Sequence, residues 1–288
     1  MKQSVFSWAI HRGEDAFGKY ELPLLQFRKI NETGMVSHCF TTRMGGVSEG
    51  MFASLNLSFT RGDEERKVAA NYGRIADFLG ITPDQIVTSD QTHTTNVIRV
   101  GKADGGNGVT KPRPYTDVDG LITNEPGVAL ATFYADCVPL YFVDPVHRAI
   151  GLSHSGWRGT VERMGKCTVE AMHREFGTEP AHVIVAIGPS ICGACYEVGE
   201  DVAVPFSKAF EGMEEEILAE KGPDGDGNPK YLLNLWRANE IVLREAGVLP
   251  ENIITTDICT CCNPQLLFSH RASCGKRGNL GAFLMIRP

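Results

Sequence analysis

A chain of 288 residues, 42% hydrophobic and 22% charged, has the composition of a folded globular protein and the length for one large or two small domains; we read it as one, spanning residues 1–288. A formal net charge of −7 leaves no basic footprint for a nucleic-acid backbone, and no apolar run is long enough to span a bilayer, so neither nucleic acid nor membrane is an expected partner. Met1 to Trp8 is interrupted at His11-Arg12 before a signal-peptide core forms, which makes a cytoplasmic location the expectation, and nine cysteines in a chain of this length read as free thiols or metal ligands rather than a disulfide framework.

Taken in order, Met35 to Thr42 has the pattern of a strand, followed by a glycine turn at Arg43-Met44-Gly45-Gly46 that holds Arg43 at the strand end. Apolar residues at Val68, Tyr72, Ile75, Phe78 and Leu79 predict a helix over Glu64 to Leu79, closed by Gly80. Ile86–Thr88 and Val97–Val100 read as strands flanking a polar link that carries His93, and the Gly- and Pro-rich Gly101 to Thr116 as a mobile loop. Strands are expected at 120–123, 128–134, 138–143 and 149–153, and their short connections imply antiparallel neighbours. One helix is expected over Trp157 to Phe176, then a strand at 182–187, helices over 202–210 and 231–246 separated by an exposed loop at 221–229, and strands at 253–258, 266–269 and 280–286. Strands and helices interleave without regular alternation, which points to an α+β protein with a layered mixed β-sheet core and flanking helices, αββα in outline, rather than a doubly wound parallel sheet.

The polar cluster at Asp136 to Thr160 reads as the active centre. Cys137 and His154 lie at strand ends between apolar runs, where unpartnered polar groups are costly. With His93 they supply two imidazoles and a thiolate, a set that suits a catalytic zinc with an open fourth position. The same residues admit other readings: a buried cysteine behaves as a small hydrophobe, and Cys137 could be a nucleophile with His154 as its base and Asp136 as orienter. Against that last assignment, Asp136 and Cys137 would face opposite ways in a regular strand. The turn from Ser153 to Thr160 opens a helix whose first N–H groups, with Arg158, suit a phosphate or carboxylate; a capped turn explains it equally, and Arg43 faces the same choice between an anion and a salt bridge. Cys192 and Cys195 form a Cys-x-x-Cys pair, but the later Cys259-Thr260-Cys261-Cys262 is read as lacking matching spacing, so packed free thiols are expected there.

Thr41-Thr42-Arg43-Met44-Gly45-Gly46, Leu55-Asn56-Leu57, Gln91-Thr92-His93, Asp119-Gly120-Leu121, Ala135-Asp136-Cys137-Val138-Pro139-Leu140, His154-Ser155-Gly156-Trp157-Arg158-Gly159, Gly188-Pro189-Ser190-Ile191 and Phe268-Ser269-His270-Arg271 together resemble the YfiH family of laccase-domain proteins, also called polyphenol oxidases and purine nucleoside phosphorylases. The resemblance implies a fold related to the catalytic domain of cytotoxic necrotising factors, with cysteine-hydrolase-like geometry, and one zinc held by His93, Cys137 and His154. It implies phosphorolysis of adenosine, inosine, guanosine and methylthioadenosine, with adenosine deamination as a second activity. Purine nucleosides and phosphate are then the expected partners, with Arg43, Asn56 and Arg158 as their contacts and Cys137, His154 and Asp136 as the catalytic group. Where the family carries a Thr-Gly-Arg-like segment before its last strand, this chain has Arg277-Gly278-Asn279-Leu280, so that arginine's role is either lost here or shifted to Arg277. Competing readings are a Cys-His hydrolase or amidase, such as a peptidoglycan-precursor editor, a metabolite-binding protein, and a copper polyphenol oxidase. The last is disfavoured because eight histidines include no His-x-His pair, although adventitious copper could take the zinc position.

Overall fold

The computed structural model describes residues 4–288; Met1 to Gln3, the start of the segment read above for a signal peptide, lie outside the described residues. Two six-stranded mixed sheets face each other. The first runs, edge to edge, Phe6–Asp15, Gly18–Phe27, Val36–Thr41, Leu280–Ile286, Ala129–Tyr134 and Ile86–Thr88. The second runs Ile253–Thr255, Ile184–Ile187, Val138–Asp144, Ala149–Ser155, Gly120–Thr123 and Val97–Arg99.

Alternation along the strands explains the layering. Leu130, Leu284 and Ile286 point into the space between the sheets, where they meet Tyr141, Val143, Ile150 and Leu152 of the second sheet. Their neighbours Ala129, Ala131, Phe283 and Met285 point outward, under the helix Glu65–Leu79. On the far side Leu140 and Phe142 pack under the helices Met164–Phe176, Glu200–Ala209 and Leu235–Glu245. Strands covered on both faces read as continuous apolar runs, and the result is the expected αββα order. The helix Glu65–Leu79 buries Val68, Tyr72, Ile75, Ala76 and Leu79 along one stripe and ends at Gly80, whose φ of 71° only glycine adopts cheaply.

Several local expectations are corrected. The strands over 120–144 are not consecutive antiparallel neighbours: Ala129–Tyr134 belongs to the first sheet, while Gly120–Thr123 and Val138–Asp144 belong to the second. A short connection can step between facing sheets as readily as it closes a hairpin, and here Asp136, at φ 95°, makes the step. Trp157 to Phe176 is two helices, Trp157–Val161 and Met164–Phe176, because Arg163 takes a left-handed conformation at φ 66°. Residues 218–233 form a hairpin, Leu218–Pro223 with Pro229–Leu233, so the expected exposed loop is its turn at 224–228, while the ends of that loop and the first turn of the expected helix at 231 are strands. Residues 266–269 form no strand; the amides of Leu266 and Leu267 turn back on the Asn263 carbonyl. Gly101 to Thr116 is not a free loop either, since Gly106 N–H donates to the Ile86 carbonyl (2.9 Å) and Thr88 N–H to that of Asn107 (3.0 Å). The long N-terminal hairpin Phe6–Phe27 is an element the sequence reading did not anticipate.

His38 in the first sheet gives the fold an acid sensitivity. Its Nε2 accepts the Phe27 N–H (2.8 Å), and its Nδ1 is buried without a partner. Burial drives its pKa from 6.5 down to about 3, with Arg287 adding repulsion. Above pH 6.5 both folded and unfolded chains hold it neutral. Between 6.5 and 3 only the unfolded chain takes up the proton, so stability falls as pH falls, by about 1.4 kcal/mol for each pKa unit traversed. Urea midpoints measured from pH 7 to 4 are expected to drop more steeply for the native chain than for His38→Gln; parallel profiles would refute the assignment.

Candidate metal centre and cavity

Cys137 ends the three-residue step between sheets, just before the buried strand Val138–Asp144. Pro139 pairs in register with His154 on the adjacent strand Ala149–Ser155, which brings Cys137 and His154 to the same end of the second sheet. His93 reaches them from the polar link, with a left-handed φ of 70°. One ligand atom from each of the three lies within 4.8 Å of the others, so these residues fit a single metal ion bound by two imidazoles and a thiolate. The imidazole rings of His93 and His154 meet edge to face at 5.0 Å. Gly156 is required by close approach: a Cβ there would lie 2.9 Å from His93 Cδ2 and 3.2 Å from Cys137 Sγ.

Asp119 organises this centre. Its carboxylate accepts the His154 Nδ1 proton at 2.7 Å, leaving Nε2 as the free ring nitrogen. It also accepts the N–H groups of Thr92, His93 and Thr94 and the Thr94 hydroxyl, which fixes the link that presents His93. Burial by itself would raise its pKa, but His154 and these donors keep the carboxyl below its usual range. Burial likewise opposes ionisation of the other partners and is outweighed: the His154 and His93 imidazoles bring the Cys137 thiol down to about 6, and the Cys137 thiolate and Asp119 lift His154 to about 9. The Cys137 thiolate and the His154 imidazolium therefore stabilise each other near neutral pH, and the Nε2 proton is the one a metal would displace.

Above the centre opens a cavity of about 830 Å³ whose wall includes His93, Cys137 and His154. Its aromatic lining includes Phe59, Tyr115 and Phe133, and its charged lining sets Arg61, Lys111, Arg113 and Arg277 against Glu65 and Asp90. Arg113 is neutralised by Asp90 at 2.6 Å. Arg61 and Arg277 have no carboxylate within ion-pair distance among the described residues; Arg61 donates only to the carbonyls of Gly275 and Arg277, and the buried Arg277 Nε has no partner. Burial and the nearby Arg61 charge lower the Arg277 pKa to about 10.

The other expected site residues are elsewhere. Arg43 is spent on the carbonyls of Ala53 and Pro264 and lies over the Phe268 ring. Arg158 is exposed, over its neighbour Trp157. Asn56 is fully buried, donating to the Ser58 carbonyl and the Asp63 carboxylate while accepting the Asn279 N–H. None of the three lines the cavity. Asp136 does not touch the imidazole; it accepts the Thr260 hydroxyl and the Arg271 N–H at 2.7 Å each, holding two C-terminal segments beside Cys137. Asp119 and Arg61 were missed as site residues. Asp119 carried a signal, an acid directly before a buried strand in a recognised motif, whereas Arg61 sits in a polar stretch that nothing distinguishes from surface.

Fold and site together define a four-layer α+β protein in which His93, Cys137 and His154 form a candidate metal-binding group at the floor of a cavity lined by arginines and aromatic rings. Residues 37–287 match the family described as multi-copper polyphenol oxidoreductase laccase, and the chain belongs to that family. It is 36% identical over 246 residues to the purine nucleoside phosphorylase YlmD of Bacillus subtilis, covering 85% of this chain and 86% of that one. It is 33% identical over 253 residues to the adenosine deaminase RL5 of an unknown prokaryotic organism, covering 87% and 93%. The crystal structure of the Bacillus licheniformis hypothetical protein YfiH superposes with a TM-score of 0.84 at 33% identity, covering 92% of this chain and 96% of that one. The multi-copper description does not fit the residues. Among the described residues, metal-type groups occur at two places, and only His93 and His154 of the eight histidines take part. No helix among the described residues is long and apolar enough to cross a membrane.

Proposed function

We propose that the chain is a zinc-dependent purine nucleoside phosphorylase acting on adenosine, inosine, guanosine and methylthioadenosine, and that the same centre deaminates adenosine. The observation that carries this reading is the pairing of a three-ligand metal centre with two arginines that lack a carboxylate partner in one cavity. Two adjacent guanidinium groups without a counter-charge repel each other and are relieved by a polyvalent anion such as phosphate. Phe59, Tyr115 and Phe133 offer faces for a purine. Zinc held by His93, Cys137 and His154 supplies Lewis-acid chemistry to the cavity.

The chain's own groups divide the remaining work. Arg61 and Arg277 hold phosphate for attack on the ribose C1′, and the purine leaves toward the aromatic wall. Asp119 keeps a proton of His154 on Nδ1 and so leaves Nε2 as the nitrogen available beside Cys137 and His93. The names of the relatives, a phosphorylase and a deaminase, support both activities.

A cysteine hydrolase is the second reading, favoured by the same Asp119–His154–Cys137 relay, with Asp119 in place of the expected Asp136 as orienter. His93 ranks it second, since a nucleophile and its base need no third ligand. The deciding experiment is chromatography of adenosine incubated with zinc-loaded protein, with and without phosphate. Adenine and ribose 1-phosphate are expected only with phosphate, and inosine in both; no turnover in either sinks the proposal, and hydrolytic activity that survives chelation favours the hydrolase. Arg277→Ala is expected to raise the KM for phosphate by about 10-fold or more, the loss of one charge-assisted contact, with metal content unchanged. An unaltered KM would move the phosphate seat elsewhere.

A further inference from the structure

The second metal-type group lies outside the cavity wall. Cys192, Cys195, Cys259 and Cys262 place their sulfurs within 4.8 Å of one another, although the two pairs are far apart in the chain. Contrary to the expectation of packed free thiols without matched spacing, Cys259 and Cys262 are themselves a Cys-x-x-Cys pair, obscured by the intervening Cys261, which packs with the core of the second sheet. Two matched pairs converging on one point is the ligand pattern of a structural tetrathiolate site.

Geometry agrees with the chemistry. Four sulfurs at about 2.3 Å from a common tetrahedral centre are about 3.8 Å apart, and Cys195 Sγ and Cys262 Sγ stand 3.4 Å apart without a bond between them. The N–H groups of Cys192 and Cys262 both donate to Cys259 Sγ, at 3.3 and 3.4 Å, which stabilises a thiolate more than a thiol. Ordinary thiol packing does not account for the cluster, because Cys262 is exposed and Cys192 and Cys195 are half-buried. Backbone pairing has already brought the segments together: Ser190 bridges Cys259, and Thr260 N–H donates to the Ser190 carbonyl at 3.1 Å.

We infer that these four cysteines bind a second, structural zinc ion, which clamps the 190–196 turn to the 259–263 segment. Coordination needs no redox partner: the thiols release their protons as the ion binds, and the four thiolates close the shell and leave no position for substrate. The clamp lies behind the active centre. Asp136, next to Cys137, accepts the Thr260 hydroxyl from one clamped segment, and its carbonyl accepts the Ile191 N–H from the other at 3.0 Å. The zinc therefore acts on the wall that positions Cys137, not on substrate.

Metal analysis of the purified chain is expected to find about two zinc ions per chain, with about one left in Cys137→Ala and about one left in Cys259→Ser/Cys262→Ser. Cys137→Ala, reconstituted with cobalt, reads the second site directly even if the double variant folds poorly, and should show the intense sulfur-to-cobalt charge transfer of a tetrathiolate. Metal-free Cys137→Ala would overturn the inference, as would iron in place of zinc, or a non-reduced mass lighter by the hydrogens lost to disulfides among these four. Because the readout is metal content, it stands or falls separately from nucleoside turnover.

Discussion

Replacing Cys137 with alanine is expected to leave a folded chain that has lost the metal of the cavity floor and more than about 100-fold of its nucleoside turnover, a conservative figure for deleting an electrostatic catalyst. The fold should survive because Cys137 sits at the start of a strand whose burial rests on Val138, Leu140, Tyr141 and Phe142, all fully buried. The centre should not, because two imidazoles hold zinc far more weakly than two imidazoles and a thiolate. Metal content and turnover should fall together in Cys137→Ala and in His93→Ala, checked by elemental analysis and by phosphorolysis assays on the same preparation. A variant that loses the metal yet keeps full activity would remove zinc from the reaction. One that keeps the metal yet loses activity would return Cys137 to the role of nucleophile.

The larger structural loss is expected from Asp119→Ala. Asp119 is fully buried and satisfies the His154 ring, three backbone N–H groups and a hydroxyl. Its removal leaves donors without acceptors and a buried imidazole without its carboxylate. Breaking a buried pair in this way costs about 3–5 kcal/mol of stability, and loss of the carboxylate behind a ligating histidine costs about 10–100-fold in metal affinity. Asp119→Asn keeps an oxygen for the backbone donors but offers the ring a neutral partner. It should therefore recover much of the stability while leaving metal affinity and turnover reduced. Urea unfolding and competitive metal titration separate the two effects; an alanine variant as stable and as tightly metallated as the native chain would show that Asp119 does not organise the centre.

Much of this protein was legible in the residues themselves. The apolar runs at 128–134, 138–143 and 280–286 marked strands, and the stripe through Val68, Tyr72 and Ile75 marked a helix covering a sheet, so the layered α+β class followed from local periodicity. Cys137 and His154 were conspicuous as thiol and imidazole groups between apolar runs, whereas His93, in a polar link, was joined to them by its donor chemistry and mainly by the family resemblance of Gln91-Thr92-His93. Pairing was a different matter. Whether 135–137 turns a hairpin or crosses to a facing sheet depends on which partner covers each face, and partners distant in sequence decide that. The same non-local reason moved the orienting role from Asp136 to Asp119, shifted the cationic lining from Arg43 and Arg158 to Arg61 and Arg277, and drew two cysteine pairs to one point. Periodicity determined the layered class, and residue chemistry with the family motifs pointed to the candidate ligands. Only the tertiary structure decided which charges are left without partners, and that is what gives the cavity its chemistry.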